Sequence, residues 1–314
     1  MQVQSKFPIN KPFYEIRDIR DFKDLINQSE KLFSERPAYK LKNNDGVYYE
    51  VTYSNLRHSV CYLVNSLVND GCHRTHIAVV GSNSYKWAVT YLAVTCSDNV
   101  IVPIDKELTA DNMMDVIRDS DATILFGDKK YIKRMKELED RLPEGFRFIC
   151  FDDVQIDGVE YYEDYIDIGR KLYKNGVEHL KNITVDPEAT TAILFTSGTT
   201  GKSKGVMLTG NNLAGNVWYG IKTRLHYKGS KALSFLPLAH AYGCAFDFLT
   251  AFCCGSHATY LGKIPSPKIL MKALSEIKPT IIFTVPLIIE KIYRKQIQPM
   301  LEKKSMQFML NVPL

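Results

Sequence analysis

Between residues 38 and 303, apolar runs of about four to six residues alternate with amphipathic stretches of helical period, and few residues separate one from the next. That spacing leaves room for little besides β-α-β units, whose strands lie parallel and whose helices cover both faces of a sheet. The series opens with a hairpin, because Ala38–Leu41 and Val47–Val51 flank the turn residues Asn43-Asn44-Asp45-Gly46. A helix is predicted from Ser54, its N-cap, to Asn69, with Gly71 ending it. Strands at Ile77–Val80, Val100–Ile104, Thr123–Phe126 and Phe146–Phe151 then alternate with helices at Tyr85–Cys96, Ala110–Asp119 and Tyr131–Leu138. A polar connector over residues 152–188 holds one helix, Glu160–Lys174, and Asp186-Pro187 breaks the chain after it. Helices at Asn211–Thr223, Tyr242–Cys254, Pro267–Ile277 and Leu287–Lys303 follow, interleaved with strands at Ala232–Phe235, Ala258–Leu261 and Thr280–Thr284. The pattern is that of an α/β protein with two lobes of parallel-rich sheet covered by helices, residues 1–185 and 186–314.

Composition narrows the functional classes. The 314 residues suffice for two subdomains, and 40 basic against 35 acidic residues give a net charge of +5, too balanced to suggest a nucleic-acid partner. Seven cysteines, an odd number without C-x-x-C spacing, sit largely in apolar runs, which suits reduced thiols in a cytoplasmic protein. The N-terminus has no apolar segment of the secretory type. Ala232–Leu261, the greasiest stretch, is interrupted by Pro237, His240, Asp247 and His257, so it reads as a buried helix rather than a transmembrane one and leaves peripheral membrane contact open.

The chemistry concentrates after the apolar run Thr191–Phe195. There Thr196-Ser197-Gly198-Thr199-Thr200-Gly201-Lys202-Ser203-Lys204-Gly205 precedes a helix expected near Thr209. Strand, glycine-rich turn, then helix is the arrangement that cradles phosphate: glycines let several N–H groups converge, hydroxyls add donors and lysines add charge. Gly201-Lys202-Ser203 matches the end of a G-x-x-x-x-G-K-[ST] loop, but position 196 is threonine where that loop needs glycine. Without further matches, such a stretch is by default a flexible turn.

The ten residues are more specific than a turn. They resemble the phosphate loop of the adenylate-forming (AMP-binding) superfamily, which includes acyl-CoA synthetases, luciferases and peptide-synthetase adenylation domains. Its usual form, T-S-G-T-T-G-x-P-K-G, differs here only at Ser203, which replaces proline and removes no donor. About 40 residues later, Leu236-Pro237-Leu238-Ala239-His240 resembles the second motif of that family, L-P-L-x-H. An isolated histidine of this kind is more often buried and structural. A third block, Val285-Pro286 followed by Lys291-Ile292-Tyr293, looks most like the long-chain fatty acyl-CoA synthetase branch, and it reads equally well as a buried strand followed by an amphipathic helix.

The resemblance implies the layered α/β N-terminal domain of adenylate-forming enzymes. It also implies ATP-dependent activation of a fatty acid to an acyl-adenylate and then to acyl-CoA, with ATP, Mg2+ and coenzyme A as cofactors or substrates. Thr196, Ser197, Gly198, Thr199, Thr200, Gly201, Lys202, Lys204 and Gly205 are the implied ATP contacts, Thr196 the implied Mg2+ contact, and His240 the implied catalytic residue, placed beside the acyl carboxylate. The family's Y-G-x-T-E segment, ribose-binding aspartate, hinge and small C-terminal domain have no counterpart in this sequence. An incomplete chain, a second subdomain cut short and little activity from residues 1–314 alone are therefore expected. Two alternatives remain at this stage: adenylation of an amino or aryl acid with a carrier-protein thiol as acceptor, and a nucleotide-binding module without chemistry.

Other groups carry less. Phe246, Phe248 and Phe252 fall at helical spacing and are assigned to the core rather than to an acyl tunnel. His73 and His76 have no third and fourth ligand, and Ser197 lacks a G-x-S-x-G elbow.

Overall fold

The computed structural model describes residues 18–43, 45–197, 203–262, 266–303 and 306. The chain begins with α1 (Phe22–Phe33), the hairpin β1 (Pro37–Lys42) and β2 (Tyr48–Thr52), and α2 (Tyr53–Asn69). It continues through β3 (His76–Val80), α3 (Tyr85–Cys96), β4 (Val100–Ile104), α4 (Ala110–Asp119), β5 (Ile124–Gly127), α5 (Lys129–Lys136) and β6 (Arg147–Cys150). Next come β7 (Val159–Tyr161), α6 (Tyr162–Lys174), α7 (His179–Asn182), β8 (Thr190–Ser197), β9 (Ser203–Thr209) and α8 (Gly210–Lys222). The last third holds β10 (Lys231–Ser234), a π-helical turn over Gly243–Leu249 running into α9 (Thr250–Cys253), β11 (His257–Tyr260) and α10 (Pro267–Ile277). It closes with α11 (Pro286–Ile292), a π-helical turn over Tyr293–Ile297 and α12 (Gln298–Leu301).

The strands form two sheets. One has seven strands in the order β7-β6-β5-β3-β4-β8-β9, all parallel except for the antiparallel pair β8–β9. The other has four, β10-β11-β1-β2, in which the N-terminal hairpin joins two strands from beyond residue 230. Sheet membership thus cuts across residue 185: β8 and β9 belong with the earlier strands, and β1 and β2 with the later ones. The hairpin turn Asn43–Gly46 explains itself, since Gly46 adopts φ +80, a left-handed conformation that glycine enters without strain.

Helix α3 joins the two sheets into one body. Ser84 caps it, its hydroxyl accepting from the Trp87 N–H at 3.2 Å, and it carries no charged residue after Lys86. Every residue from Trp87 to Cys96 is buried, which suits a helix packed on all sides. Trp87 and Tyr91 meet Phe248 edge-on at 6.2 and 5.6 Å, so the core of the seven-stranded lobe runs into the helical turn of the other. On the opposite face of the large sheet, α4 and α5 cover a second core with Met113, Ile117, Ile132 and Met135. All seven cysteines are buried thiols outside any disulfide.

Most predicted elements are present within one or two residues, and the differences have physical causes. The helix expected near Thr209 begins at Gly210, with the Thr209 hydroxyl and Asn212 forming a capping box, but an unexpected strand precedes it: β9 pairs with β8 out to Ser197↔Ser203. The expected strand Thr280–Thr284 is reduced to one parallel bridge, Ala232↔Ile281, because Pro286 starts α11 at once. Thr52 rather than Ser54 caps α2, two residues earlier than expected, since its hydroxyl reaches the Asn55 N–H. The predicted helix Tyr242–Cys254 is a continuous helix whose first part is wound as a π turn. There Thr250 Oγ1 donates to the Ala245 carbonyl at 2.7 Å and His226 Nε2 to the Phe246 carbonyl at 2.9 Å. Helix α1, the short strand β7 and helix α7 had no sequence expectation.

Candidate active site

The parallel strands of the large sheet all point their C-terminal ends at one edge, the edge at which α/β sheets bind ligands. Asn83 follows β3, Asp105, Lys106 and Glu107 follow β4, Asp128 follows β5, and Thr196 lies in the last turn of β8. Ile101 of β4 pairs with Ala192 of β8, and Asp105 and Thr196 each follow by four positions toward the same edge. Thr196 is exposed and lies directly opposite Lys204, also exposed, so the two side chains project on the same face of the β8–β9 pair. Gly198, Thr199, Thr200, Gly201 and Lys202 lie outside the described residues, and Ser197 is described only as the last residue of its strand.

Gly205 has a different role from the one expected of a loop glycine. It pairs with Phe195, and a Cβ there would come within 3.0 Å of Ile193 Cγ2 and 3.1 Å of the Phe195 ring. Its lack of a side chain lets the two apolar residues fold over the strand pair. Strand β9, Ser203–Thr209, stands between the glycine-rich stretch and α8, which begins at Gly210.

The second lobe brings its own edge to face this one. After β10 the chain turns through Phe235, Leu236 and Pro237 into the helix that starts past His240. The turn is held at both ends: the His240 N–H donates to the Pro237 carbonyl at 3.2 Å, and the Cys244 N–H donates to the His240 carbonyl at 2.9 Å. Gly243 is required for this close approach, because a Cβ would stand 2.6 Å from the Pro237 oxygen. Asn83 ties the turn to the opposite lobe, donating to the Leu236 carbonyl at 2.7 Å and accepting from the Leu238 N–H at 3.3 Å.

Between the facing edges lies a cleft of about 340 Å3. Asn83, Lys106 and Glu107 form its polar wall, and Phe235, Leu236, Pro237, Val285 and Ile288 its apolar wall. His240 stands on the rim with its side chain 54% exposed, and its Nε2 approaches Asp105 Oδ2 at 3.4 Å. The third sequence block thus reaches the same place, through Val285 and Ile288 on either side of Pro286. Phe248 and Phe252 are buried in the core, as expected, while Phe246 stacks on Phe283 at 6.4 Å.

Two carboxyls outside the cleft lining, one half-buried and one buried, depart from the ordinary range. Asp128 accepts from the Ser82 N–H at 2.8 Å; burial pushes its carboxyl above the usual range, and the Ser82 hydrogen bond opposes the shift. Asp247, one residue beyond Phe246, has both carboxyl oxygens buried without a hydrogen-bond partner. Ser234 is the nearest hydroxyl favouring its charged form, but the two form no bond of proper geometry, and burial raises the group to about 7. Sequence reasoning missed Asn83, Asp105, Lys106 and Glu107, because a single polar residue after a strand looks like any other loop residue; the only signal was their place at the C-terminal ends of consecutive parallel strands. Among the described residues no group of three or more His, Cys, Asp or Glu side chains could hold a metal ion. No described helix is long and apolar enough to cross a membrane.

Comparison with known proteins locates this arrangement. A family profile described as AMP-binding enzyme matches residues 27–311. Long-chain-fatty-acid–CoA ligase 5 of Rattus norvegicus is 24% identical over 321 residues, an alignment covering 96% of this chain and 46% of that protein. The chloroplastic long-chain-fatty-acid–[acyl-carrier-protein] ligase AEE15 of Arabidopsis thaliana is 28% identical over 237 residues, covering 69% of this chain and 31% of its own length. Among solved structures, a red-emitting luciferase from Phrixothrix hirtus superimposes with a TM-score of 0.77 at 17% identity, covering 93% of this chain and 55% of the luciferase. This chain therefore spans less than half the length of these two ligase relatives.

Proposed function

The chain belongs to the AMP-binding enzyme family, the adenylate-forming acid–CoA ligases, and from that premise we propose that it carries the phosphate loop and acyl-activating cleft of an ATP-dependent fatty acid–CoA ligase. In this reading the carboxylate of a fatty acid attacks the α-phosphate of ATP, giving acyl-adenylate and pyrophosphate. The thiol of coenzyme A then attacks the acyl carbon, giving acyl-CoA and AMP. The observation that supports it most directly is the meeting of His240 with the edge that bears Thr196: His240 Nε2 lies 3.4 Å from Asp105 Oδ2, and Asp105 and Thr196 each follow the paired residues Ile101 and Ala192 by four positions.

Each part has a chemical task. Lys204 and the loop after Thr196 offer fixed positive charge and donors where negative charge builds on the departing pyrophosphate, which lowers the barrier without reorganisation. His240 orients the acyl carboxylate by donating to it. Phe235, Leu236, Val285 and Ile288 give the cleft an apolar wall suited to an alkyl chain, and the relatives are named for long-chain fatty acids. A bound Mg2+ would neutralise phosphate charge, and the Thr196 hydroxyl would be the residue to hold it.

A second acceptor is supported by the Arabidopsis relative, whose name specifies an acyl-carrier protein. Product analysis separates the two. With ATP, Mg2+ and a long-chain fatty acid, AMP and a thioester of coenzyme A are expected in equal amounts. A thioester formed only with a phosphopantetheinyl carrier would move the reading to the second acceptor. ADP as product, or AMP release independent of the acid, would remove both.

A further inference from the structure

A half-exposed imidazole on the rim of a cleft needs something to fix its orientation and its proton. We propose that Asp105 is the positioning residue of His240, holding the ring through Nε2 and leaving Nδ1 for the substrate carboxylate; this rests on reading the cleft as the acyl-activation site. Both partners are held by rigid backbone. Asp105 directly follows β4, a strand buried along its whole length. Its Oδ1 accepts from the Glu107 N–H at 3.0 Å, and its carbonyl accepts from the Leu108 N–H at 3.1 Å. With Oδ1 committed to the turn, Oδ2 is the oxygen presented to the ring, 3.4 Å from Nε2. On the other side, the Pro237 and Cys244 hydrogen bonds fix the His240 backbone, and Asn83 fixes the turn that carries it.

The chemistry follows from what each group can do. A carboxylate only accepts, so the nitrogen facing it must be the one that bears hydrogen, and Nδ1 keeps the lone pair in the neutral ring. When both nitrogens are protonated, Asp105 balances the charge, and Nδ1–H can donate to the acyl carboxylate. The 3.4 Å separation is an ion-pair contact that substrate closure would tighten, as catalytic hydrogen bonds do on forming the reactive complex. An ion pair this accessible contributes little to stability, so its consequence lies in orientation. Lys106 and Glu107, on the same loop, are the other charged groups of the cleft wall.

Asp105→Asn tests the assignment without removing the turn. The Glu107 N–H continues to hold Oδ1, so the amide NH2 faces the ring and should invert its proton to Nδ1–H. Long-range 1H–15N correlation of the imidazole, recorded where the ring is neutral and identified by its loss in His240→Gln, reads this directly. The expected result is Nε2–H in the native protein, Nδ1–H in Asp105→Asn, and Nε2–H regained at least in part in Asp105→Glu. The amide spectrum of the same samples reports whether each variant is folded. Acid-dependent AMP release should fall about 10- to 100-fold in Asp105→Asn with the KM for ATP unchanged. An Nδ1–H ring in the native protein, or the same tautomer in native and Asp105→Asn, overturns the proposal, as does an inverted tautomer with an unchanged rate. If the tautomer inverts but the whole protein releases no AMP in response to an acid, the pairing stands and the acyl-activation reading fails.

Discussion

Helix α3 in the seven-stranded lobe and helix α11 in the four-stranded lobe are both rich in apolar residues, but ten of the twelve residues of α3 are buried and none of the seven in α11 is. Leu287 is 57% exposed and Ile289 50%, and exposed apolar residues continue through Tyr293, Ile297 and Met300. Unpartnered buried oxygens occur on both sides, at Tyr91 in α3 and at Ser234, Asp247 and Thr284 in or after β10, and such groups are costly features that often mark function. In the large lobe Arg147, Glu160 and Asp70 are also joined in a network of short ion pairs. One lobe closes its own core, and the other presents an exposed apolar helix.

The largest test of this contrast is Trp87→Ala. Removing a fully buried indole that touches both Tyr91 and Phe248 should cost about 3–5 kcal/mol in denaturant unfolding. A loss below about 1 kcal/mol would mean the shared core is not the stable centre of the fold.

Asp247→Asn addresses the opposite lobe through pH. The carboxyl is raised to about 7 in the folded chain against an ordinary value near 4, so the folded state binds the extra proton. Its stabilising contribution is complete below about pH 4 and is lost as the pH rises through about 7, a change on the order of a few kcal/mol. His226 acts with the opposite sign: burial lowers it to about 4, so stability rises with pH from about 4 to about 6.5. Native and Asp247→Asn unfolding free energies should therefore diverge in favour of the variant between pH 5 and 8. Parallel curves would show that Asp247 has a partner or is hydrated.

Asn83→Ala removes two hydrogen bonds that cross from one lobe to the other, and about 1–3 kcal/mol of stability should go with them. The loss should be accompanied by weaker acyl-dependent activity, because Leu236–His240 would no longer be held. Stability lost with activity unchanged would separate the clamp from the site. The smallest effect is expected from Leu287→Ala, within about 0.5 kcal/mol, since its side chain is already in water. A core-sized loss there would break the comparison outright.

The same contrast explains what the sequence could reveal. Strands β3, β4 and β5 are continuous apolar runs, and α3, α4 and α10 carry clear caps at Ser84, Thr109 and Ser266, so their limits were readable to within about two residues. The return of β1 and β2 to a sheet with β10 and β11 was not readable, because local pattern does not encode which distant strand is the neighbour. β9 was missed because Gly205 breaks its apolar run, and its reason is the Phe195 ring across the pair. In the site, His240 was legible from the Leu236–His240 motif, whereas Asp105 and Asn83 owe their position to tertiary contact alone.

Acid-dependent exchange of labelled pyrophosphate into ATP tests the central claim most directly, because it needs the phosphate loop and the acyl cleft in the same event. In the whole protein the account predicts exchange that requires a long-chain fatty acid and falls about 100-fold or more in His240→Ala, with a comparable fall in Lys204→Ala. Exchange without any acid, or exchange untouched by both substitutions, would contradict it.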